Sequence, residues 1–173
     1  MSARVRVACI VISATVLLSQ GLCAQGAAPT TVDFAPAVRA QLHKDFGTRE
    51  ADVLRSAIFA ALSKEERRDA LPDGLTVKVT VRELMPTHPT MKQQLDNPSL
   101  SPVRTRYLGG ADLVGELLDS QQQVLATVDY RNFADVLPAG APSLDAWADA
   151  RQSIDAFAAK LAASWEKLPK VRS

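Results

Sequence analysis

Cysteine is nearly absent from this chain, and its placement excludes a disulfide-stabilised fold. The two cysteines, Cys9 and Cys23, both lie in the first 23 residues of a 173-residue sequence. Because that end has the features of a removable leader, the remainder contains no thiolate ligand and no disulfide. The domain must therefore be held together by a hydrophobic core, which a chain of about 150 residues is long enough to form.

Histidine is equally scarce, and the usual sequence signs of metal or nucleophilic chemistry are missing. The two histidines, His43 and His88, have no cysteine or second histidine nearby, whereas metal sites need clustered ligands. No Gly-x-Ser-x-Gly motif and no glycine-rich phosphate loop with its lysine occurs. The sequence therefore predicts no catalytic residue, no metal and no cofactor, and we interpret the chain as a non-enzyme.

An excess of charge of either sign is also lacking. The chain has 20 basic and 19 acidic residues, and removing a leader that contains Arg4 and Arg6 leaves 18 basic residues and a net charge of −1. No basic cluster marks a face for phosphate contacts, which argues against nucleic acid as a partner. The dispersed cations of the terminal "EKLPKVRS" are only a weak indication of membrane contact.

The N-terminus has the order of residues that is typical of a secretory signal peptide. Two arginines precede an uncharged apolar run at residues 8–18, and small and polar residues follow in "SQGLCAQGAA". The run is shorter than the roughly 20 residues of a membrane span. We predict cleavage near Ala24, which gives a signal peptide at 1–24 and a periplasmic or secreted single domain at 25–173.

Cys23 provides an alternative, a membrane-tethered lipoprotein with a lipid-modified N-terminal cysteine. Lipoprotein signals usually carry a small residue just before that cysteine and leucine three positions before it. Leu22 and Gln20 occupy those positions here. We therefore predict an unlipidated protein.

The stretch "GELLDSQQQVLATV" fits either a helix or two strands joined by a turn. Its leucines and valines fall on one helical stripe, but the glycines at and before its start each cost a helix roughly 1 kcal/mol relative to alanine. Asp119 is a turn former, and the residues after it alternate in polarity. We therefore predict a hairpin in which residues 107–118 turn into residues 123–132.

Periodicity predicts two further strands and two helices. Residues 75–84 alternate apolar and polar side chains, which indicates a strand with one face on a core and one in water. "TVDFAP", at 31–36, is predicted as a short strand. Apolar spacing of three and four predicts one helix that Thr48 caps, and a terminal helix that runs from the cap Ser143 to Pro169.

These elements together predict an α+β fold. The polar face of strand 75–84 indicates that both helices cover its other face. We therefore expect an antiparallel sheet of three to four strands with two helices packed on one face, a two-layer sandwich. Trp147 and Trp165 share a face of the terminal helix, and we interpret them as core residues rather than as the lining of a ligand pocket.

Residues 86–106 contain four prolines and no regular apolar pattern. We interpret them as a long exposed loop that allows one helical turn near residues 91–95, and loops of this length are usually functional or disordered. The loop, with the adjoining edge of the strand at 107–118, is our predicted partner-contact surface. Its candidate residues, together with two cations from the polar face of strand 75–84, are His88, Arg104, Arg106, Lys78 and Arg82.

The segment "LGGADLVGELLDSQQQVLATVDYRN" resembles part of an uncharacterised family of exported bacterial α+β proteins, many of them predicted lipoproteins. That family has a glycine pair, a strand, an aspartate-led turn, and a strand that runs into aspartate and a basic residue. Its Trp-x-Asp start to a terminal helix is matched by Trp147 and Asp149, whereas the turn here lacks the family's glycine. The resemblance covers about residues 74–165. It implies the fold and export, and brings no reaction and no catalytic residue.

Two classes of function fit these observations. The first is an exported, non-catalytic interaction or scaffolding module that binds an envelope protein. The alternative is a small-ligand or lipid-binding protein with a pocket between sheet and helices. A large apolar cavity would favour the alternative, and a filled core with an exposed patch would favour the module.

Overall fold

The computed structural model describes residues 30–136 and 144–168. The predicted signal peptide with Ala24 and Cys23, and the predicted cap Ser143, lie outside these residues. In chain order the elements are β1 (Thr30–Phe34), α1 (Pro36–Gln41), a π-helical turn (Leu42–Phe46), α2 (Thr48–Glu66), β2 (Thr76–Met85), α3 (Met91–Asp96), β3 (Gly110–Leu118), β4 (Val124–Phe133) and α4 (Ala148–Trp165).

The strands form one sheet in the order β1-β2-β3-β4. β2, β3 and β4 are antiparallel neighbours, whereas β1 pairs with β2 in parallel. The α+β class is confirmed, but the prediction of a wholly antiparallel sheet is wrong. The reason is that the chain passes through α2 between β1 and β2, and a helical crossover returns the next strand in the same direction. The count of two helices is also incomplete, because α1 is a further short helix and α3 forms at the helical turn allowed near residues 91–95.

The alternation predicted for the second strand is present. Val77, Val79 and Val81 of β2 are at most 1% exposed, while Lys78, between two of them, is exposed. The apolar face of β2 continues across the sheet, because Val79 pairs with Val32 of β1 in the parallel register. One face of the sheet therefore meets the core and the other meets solvent.

α4 packs directly against β3. A Cβ built on Gly115 would lie 2.8 Å from Cζ of Phe157 and 3.0 Å from Cδ1 of Leu161. Glycine is required there because any side chain would push the helix away from the strand. α2 lies beside α4 and contacts β1, so the two long helices share the buried face of the sheet.

The predicted hairpin is confirmed. β3 and β4 pair antiparallel around a turn at Asp119, whose Oδ1 accepts hydrogen bonds from the backbone N–H groups of Gln121 (2.8 Å) and Gln123 (2.9 Å). Gln122 has a φ of 63° in this turn. It therefore takes the left-handed conformation for which glycine is the usual residue.

The register between β2 and β3 shifts between Val81 and Glu83, so Arg82 is an additional residue in β2. Such a bulge bends the strand and redirects its side chains. Leu84 returns to the core, with 2% of its surface exposed, while Arg82 and Glu83 are both exposed. The bulge thus places two charged residues in succession on the solvent side.

The starts of the two long helices differ from the predictions. α2 begins at Thr48, and the preceding Gly47 occupies the cap position without a side-chain hydrogen bond, so the Thr48 cap is wrong. α4 begins at Ala148, and the carboxylate of Asp145 accepts a hydrogen bond from the backbone N–H of Trp147. Trp147 and Trp165 are each 1% exposed, which confirms them as core residues.

Trp147 also joins the amino ends of the two long helices. Its Nε1 donates to Oε2 of Glu50 at 2.6 Å, and its ring meets that of Phe46 edge-on at 5.5 Å between centroids. The amino end of α4 therefore lies beside that of α2. Since the carboxyl ends also adjoin, around Glu65 and Glu166, the two helices run parallel.

We expect Trp147→Phe to lower the free energy of unfolding by about 1.5–3 kcal/mol more than Trp165→Phe, as measured by urea denaturation. Both indoles are buried, but Nε1 of Trp165 has no hydrogen-bond partner among the described residues. The difference between the variants therefore isolates the bond to the Glu50 carboxylate. Equal losses would show that this hydrogen bond contributes nothing to stability.

Candidate interaction surfaces

The solvent face of the sheet carries two of the predicted contact residues. Nζ of Lys78 lies 3.2 Å from Oε2 of Glu116. Arg82 reaches Asp112 at 2.8 Å and Asp129 at 2.9 Å, and the hydrogen bond to Asp112, followed by the charges of both aspartates, raises the pKa of its guanidinium further above its ordinary value. Both cations are therefore engaged with carboxylates on the neighbouring strands.

A further ion pair extends this arrangement and brings its charges close to balance. Arg131 lies 3.0 Å from Glu83 and 3.9 Å from Asp112. Three cations thus face four carboxylates on the solvent side of β2, β3 and β4. Because the charges of this surface nearly cancel, it provides no strong long-range attraction for a partner that carries an excess of one sign of charge.

His88 was predicted in an exposed loop, and this is wrong. Residues 86–90 are all buried, and His88 is 1% exposed. Its Nδ1 lies 3.2 Å from the carbonyl oxygen of Thr105, so Nδ1 carries the proton and donates. Nε2 is buried without a partner among the described residues. His88 therefore cannot contact a partner at the surface without a local opening of the fold.

Internal hydrogen bonds explain the burial of this segment. The N–H of Thr87 donates to the carbonyl of Ala146 at 2.7 Å, and its Oγ1 accepts from the N–H of Asp149 at 3.0 Å. Thr90 donates to the carbonyl of Phe46 at 2.8 Å and forms a capping box with Gln93 of α3. The segment after β2 thus holds the start of α4 in place.

The remaining parts of the predicted contact surface do not lie together either. Arg104 is exposed, whereas Arg106 is half-buried and interacts within the fold. The strand expected to offer a free edge, β3, lies between β2 and β4. The structure therefore brings Lys78 and Arg82 together on the sheet but places the other three candidates elsewhere.

A surface that the sequence did not indicate lies between α2 and α4, on their solvent side. We call it the interhelical groove. Three cavities of about 540, 260 and 400 Å³ follow one another along it. Its width results from small side chains on both helices, which are Ala57, Ala60, Ala61, Ala159, Ala162 and Ala163.

The charges along the groove are separated by sign. The 540 and 260 Å³ cavities, which adjoin at Arg151, are lined by four cations and two carboxylates: Arg49, Lys64, Arg67, Arg151, Asp52 and Asp155. The 400 Å³ cavity, towards the carboxyl ends of the helices, is lined by three carboxylates and one arginine: Glu65, Asp69, Glu166 and Arg68. One part is therefore cationic and the other acidic.

The cationic part keeps much of its charge unneutralised. Arg151 pairs with Asp145 at 2.7 Å, and Asp52 pairs with Arg55 at 2.9 Å. Arg49, Lys64 and Arg67 form no ion pair with any other residue of the described ranges. The groove therefore differs from the solvent face of the sheet, where each of the three cations pairs with a carboxylate on another strand.

Searches with the chain matched no family model, no curated protein and no solved structure. The resemblance to exported proteins consequently remains an expectation. Within residues 30–136 and 144–168, no helix combines the length and the apolarity that crossing a bilayer requires. The same residues contain no group of three or more potential metal ligands.

Proposed function

We propose that the chain is an exported, non-catalytic interaction module of the bacterial envelope, and that the interhelical groove is its binding surface. The observation that best supports this proposal is the groove itself, which has an alanine-rich floor and ends of opposite charge. An apolar floor excludes water on contact, while charges at the rim select and orient the partner. Membrane tethering through Cys23 is the alternative localisation.

The partner that fits this groove best is an amphipathic helix. Small residues allow helix axes to approach within about 8–10 Å, and a third helix can lie in the depression between two parallel ones. The cationic part favours acidic residues on that helix. In the 400 Å³ cavity Glu65 is buried and pairs with Arg68 at 3.0 Å, so Asp69 and Glu166 are the carboxylates that favour basic residues there. A partner with both features would be held in one direction along the groove.

The ligand-binding alternative is less well supported. Its pocket was expected between sheet and helices, where Gly115 already touches Phe157 and Leu161 without space for a methyl group. The three cavities described above are instead lined by residues of α2, α4 and the turn after α2. These observations lead us to prefer a protein partner on the outer surface.

Site-specific photo-crosslinking tests this proposal. A photoreactive side chain replaces the exposed Ala60 in the groove or, as a matched control, the exposed Ala37 of α1. We expect Ala60 to capture one envelope protein in exporting cells and Ala37 to capture none. Capture of the same proteins from both positions, of a second copy of this chain from the groove, or of nothing from it would contradict the proposal.

Ala60→Glu then measures the contribution of the groove to binding. The substitution fills the floor and repels an acidic segment, so we expect the affinity for the captured protein to fall about tenfold or more in titration calorimetry. Ala37→Glu adds the same charge to an exposed helical position outside the groove and should leave the affinity unchanged. An unaltered affinity in Ala60→Glu would place the binding surface elsewhere.

A further inference from the structure

β4 is an edge strand of the sheet, and no strand of the described residues pairs with its outer side. The N–H of Ala134 donates to the carbonyl of Gly109 across the hairpin. Because backbone groups alternate sides along a strand, those of Asn132 and Tyr130 also face β3, and those of Asp129 and Arg131 face outward. Within the described ranges, no backbone group outside the sheet bonds this outer edge.

One side chain partly covers the edge. Nζ of Lys160 in α4 donates to the carbonyl of Asp129 at 3.2 Å and lies 5.7 Å from the ring centre of Tyr130. This bond confirms that the Asp129 carbonyl points outward. Lys160 is exposed, so its flexible side chain can turn away when another strand approaches.

The charged residues on β4 are arranged so that two antiparallel copies of the strand would place opposite charges side by side. Asp129 and Arg131 are two residues apart on the solvent face. Within the chain Asp129 pairs with Arg82 and Arg131 pairs with Glu83, but their side chains remain 61% and 62% exposed. A carboxylate can accept hydrogen bonds from two cations at once, so a second copy can extend these pairs. An antiparallel copy of β4 related by a two-fold axis at Tyr130 would place Asp129 of each copy opposite Arg131 of the other. Opposite charges in directly facing positions stabilise a strand pair, and the symmetry produces this pair twice.

The same axis brings the helices into contact. α4 covers both β3 and β4, since Phe157 lies over Gly115 while Ser153 and Lys160 reach β4. With strands about 4.8 Å apart, a two-fold axis just beyond β4 sets the two copies of α4 about 10 Å apart. Helices pack at about 8–10 Å. The half-buried Ala156, between Ser153 and Lys160 on that stripe, leaves room for this approach.

We propose that a second copy of this chain pairs antiparallel along β4 about a two-fold axis at Tyr130. The two sheets then form one continuous sheet. The β4 edge of each copy is thereby paired and no longer exposed to other strands. The inference is independent of the proposed function. α2, which forms the far wall of the interhelical groove, contacts β1 at the opposite margin, so the groove stays open in the dimer.

A cysteine crosslink tests the register. In the proposed pair, Tyr130 faces Tyr130 of the second copy at a position without backbone hydrogen bonds, where Cα atoms are about 4.5 Å apart and a disulfide can form. In the exported protein with Cys23→Ser, Tyr130→Cys should give a disulfide-linked dimer under mild oxidation. Thr127→Cys, on the same strand but facing Phe133 of the second copy, should remain uncrosslinked. Crosslinking of both variants to the same extent, or of neither, would overturn this register.

A charge exchange tests the pairing itself by sedimentation equilibrium. Asp129→Arg and Arg131→Asp should each raise the dimer dissociation constant about tenfold or more, because two attractive pairs become repulsive. The double exchange should restore dimerisation. Exchanging Lys78 with Glu116, an ion pair on the same face away from the axis, should leave the dissociation constant unchanged. The proposal would be overturned if the wild type were monomeric, or if the dissociation constant were the same in the wild type and in the three β4 variants.

Discussion

Val79→Asp is expected to unfold the domain at room temperature. Val79 is fully buried at the centre of β2, between Val32 of β1 and Gly115 of β3. An aspartate there would lose its hydration without gaining a partner, at a cost of several kcal/mol. Because domains of this size are stable by only about 5–15 kcal/mol, circular dichroism should show a largely unfolded chain.

The control for this variant is the neighbouring Lys78, on the solvent face. The alternation in residues 75–84 predicts that Lys78→Asp is nearly silent, but the ion pair with Glu116 means that this substitution places two carboxylates opposite each other. Lys78→Gln is therefore the matched control, and it should cost less than about 1 kcal/mol. Comparable destabilisation by Val79→Asp and Lys78→Gln would show that β2 is not buried on one face only.

Gly110→Ala is expected to lower the free energy of unfolding by more than about 3 kcal/mol. Gly110 has a φ of +154°, and an added Cβ would lie 2.3 Å from the carbonyl oxygen of Asn132 and 2.6 Å from Cα of Phe133. Both obstructing atoms belong to the backbone of β4, so no side chain can rotate to relieve the contact. The hairpin must separate or the register must shift.

Gly74→Ala separates this steric effect from backbone strain. Gly74 also has a positive φ, of +81°, but a Cβ there would meet no atom within 4 Å. We expect it to cost only about 1–2 kcal/mol, which reflects conformation alone. Chemical denaturation of both variants compares them directly. A Gly110→Ala variant as stable as Gly74→Ala would be inconsistent with the close pairing of β3 and β4.

The local features of the fold were predictable because they depend on neighbouring residues. The alternation in residues 75–84 and the turn chemistry of Asp119 are encoded within a few positions, and both predictions were confirmed. The parallel pairing of β1 with β2 was not predictable in this way. It joins Val32 to Val79 across α2, and no short-range pattern specifies the direction of such a distant partner.

The failure at His88 has a different physical cause. Prolines and polar residues usually indicate exposed backbone, but here the threonines on both sides of His88 and Pro89 satisfy their hydrogen bonds within the protein. Thr87 bonds to Ala146 and Thr90 bonds to Phe46. Since these acceptors are distant in the sequence, composition alone could not show that the segment is buried.

The interhelical groove was missed because alanine fits two environments. In the sequence, Ala57 and Ala61 fall on the apolar stripe of α2, and such a stripe predicts residues that face the core. The structure places Ala61 in the core at 5% exposure, and both residues also line the groove. The way in which α2 packs against α4 decides whether small residues bring the two helices into close contact or leave a groove between them.

The position of α4 at the end of the described chain governs how the protein can be made. A chain that leaves the ribosome or crosses a membrane from its amino end presents all four strands and α2 before α4, the second long helix on the buried face. Until Phe157 and Leu161 have emerged, the strip around Gly115 has no helix to rest on. The packing of the sheet is therefore completed only after α4 has emerged. A chain interrupted before that point would leave the apolar face of its hairpin exposed and prone to aggregation.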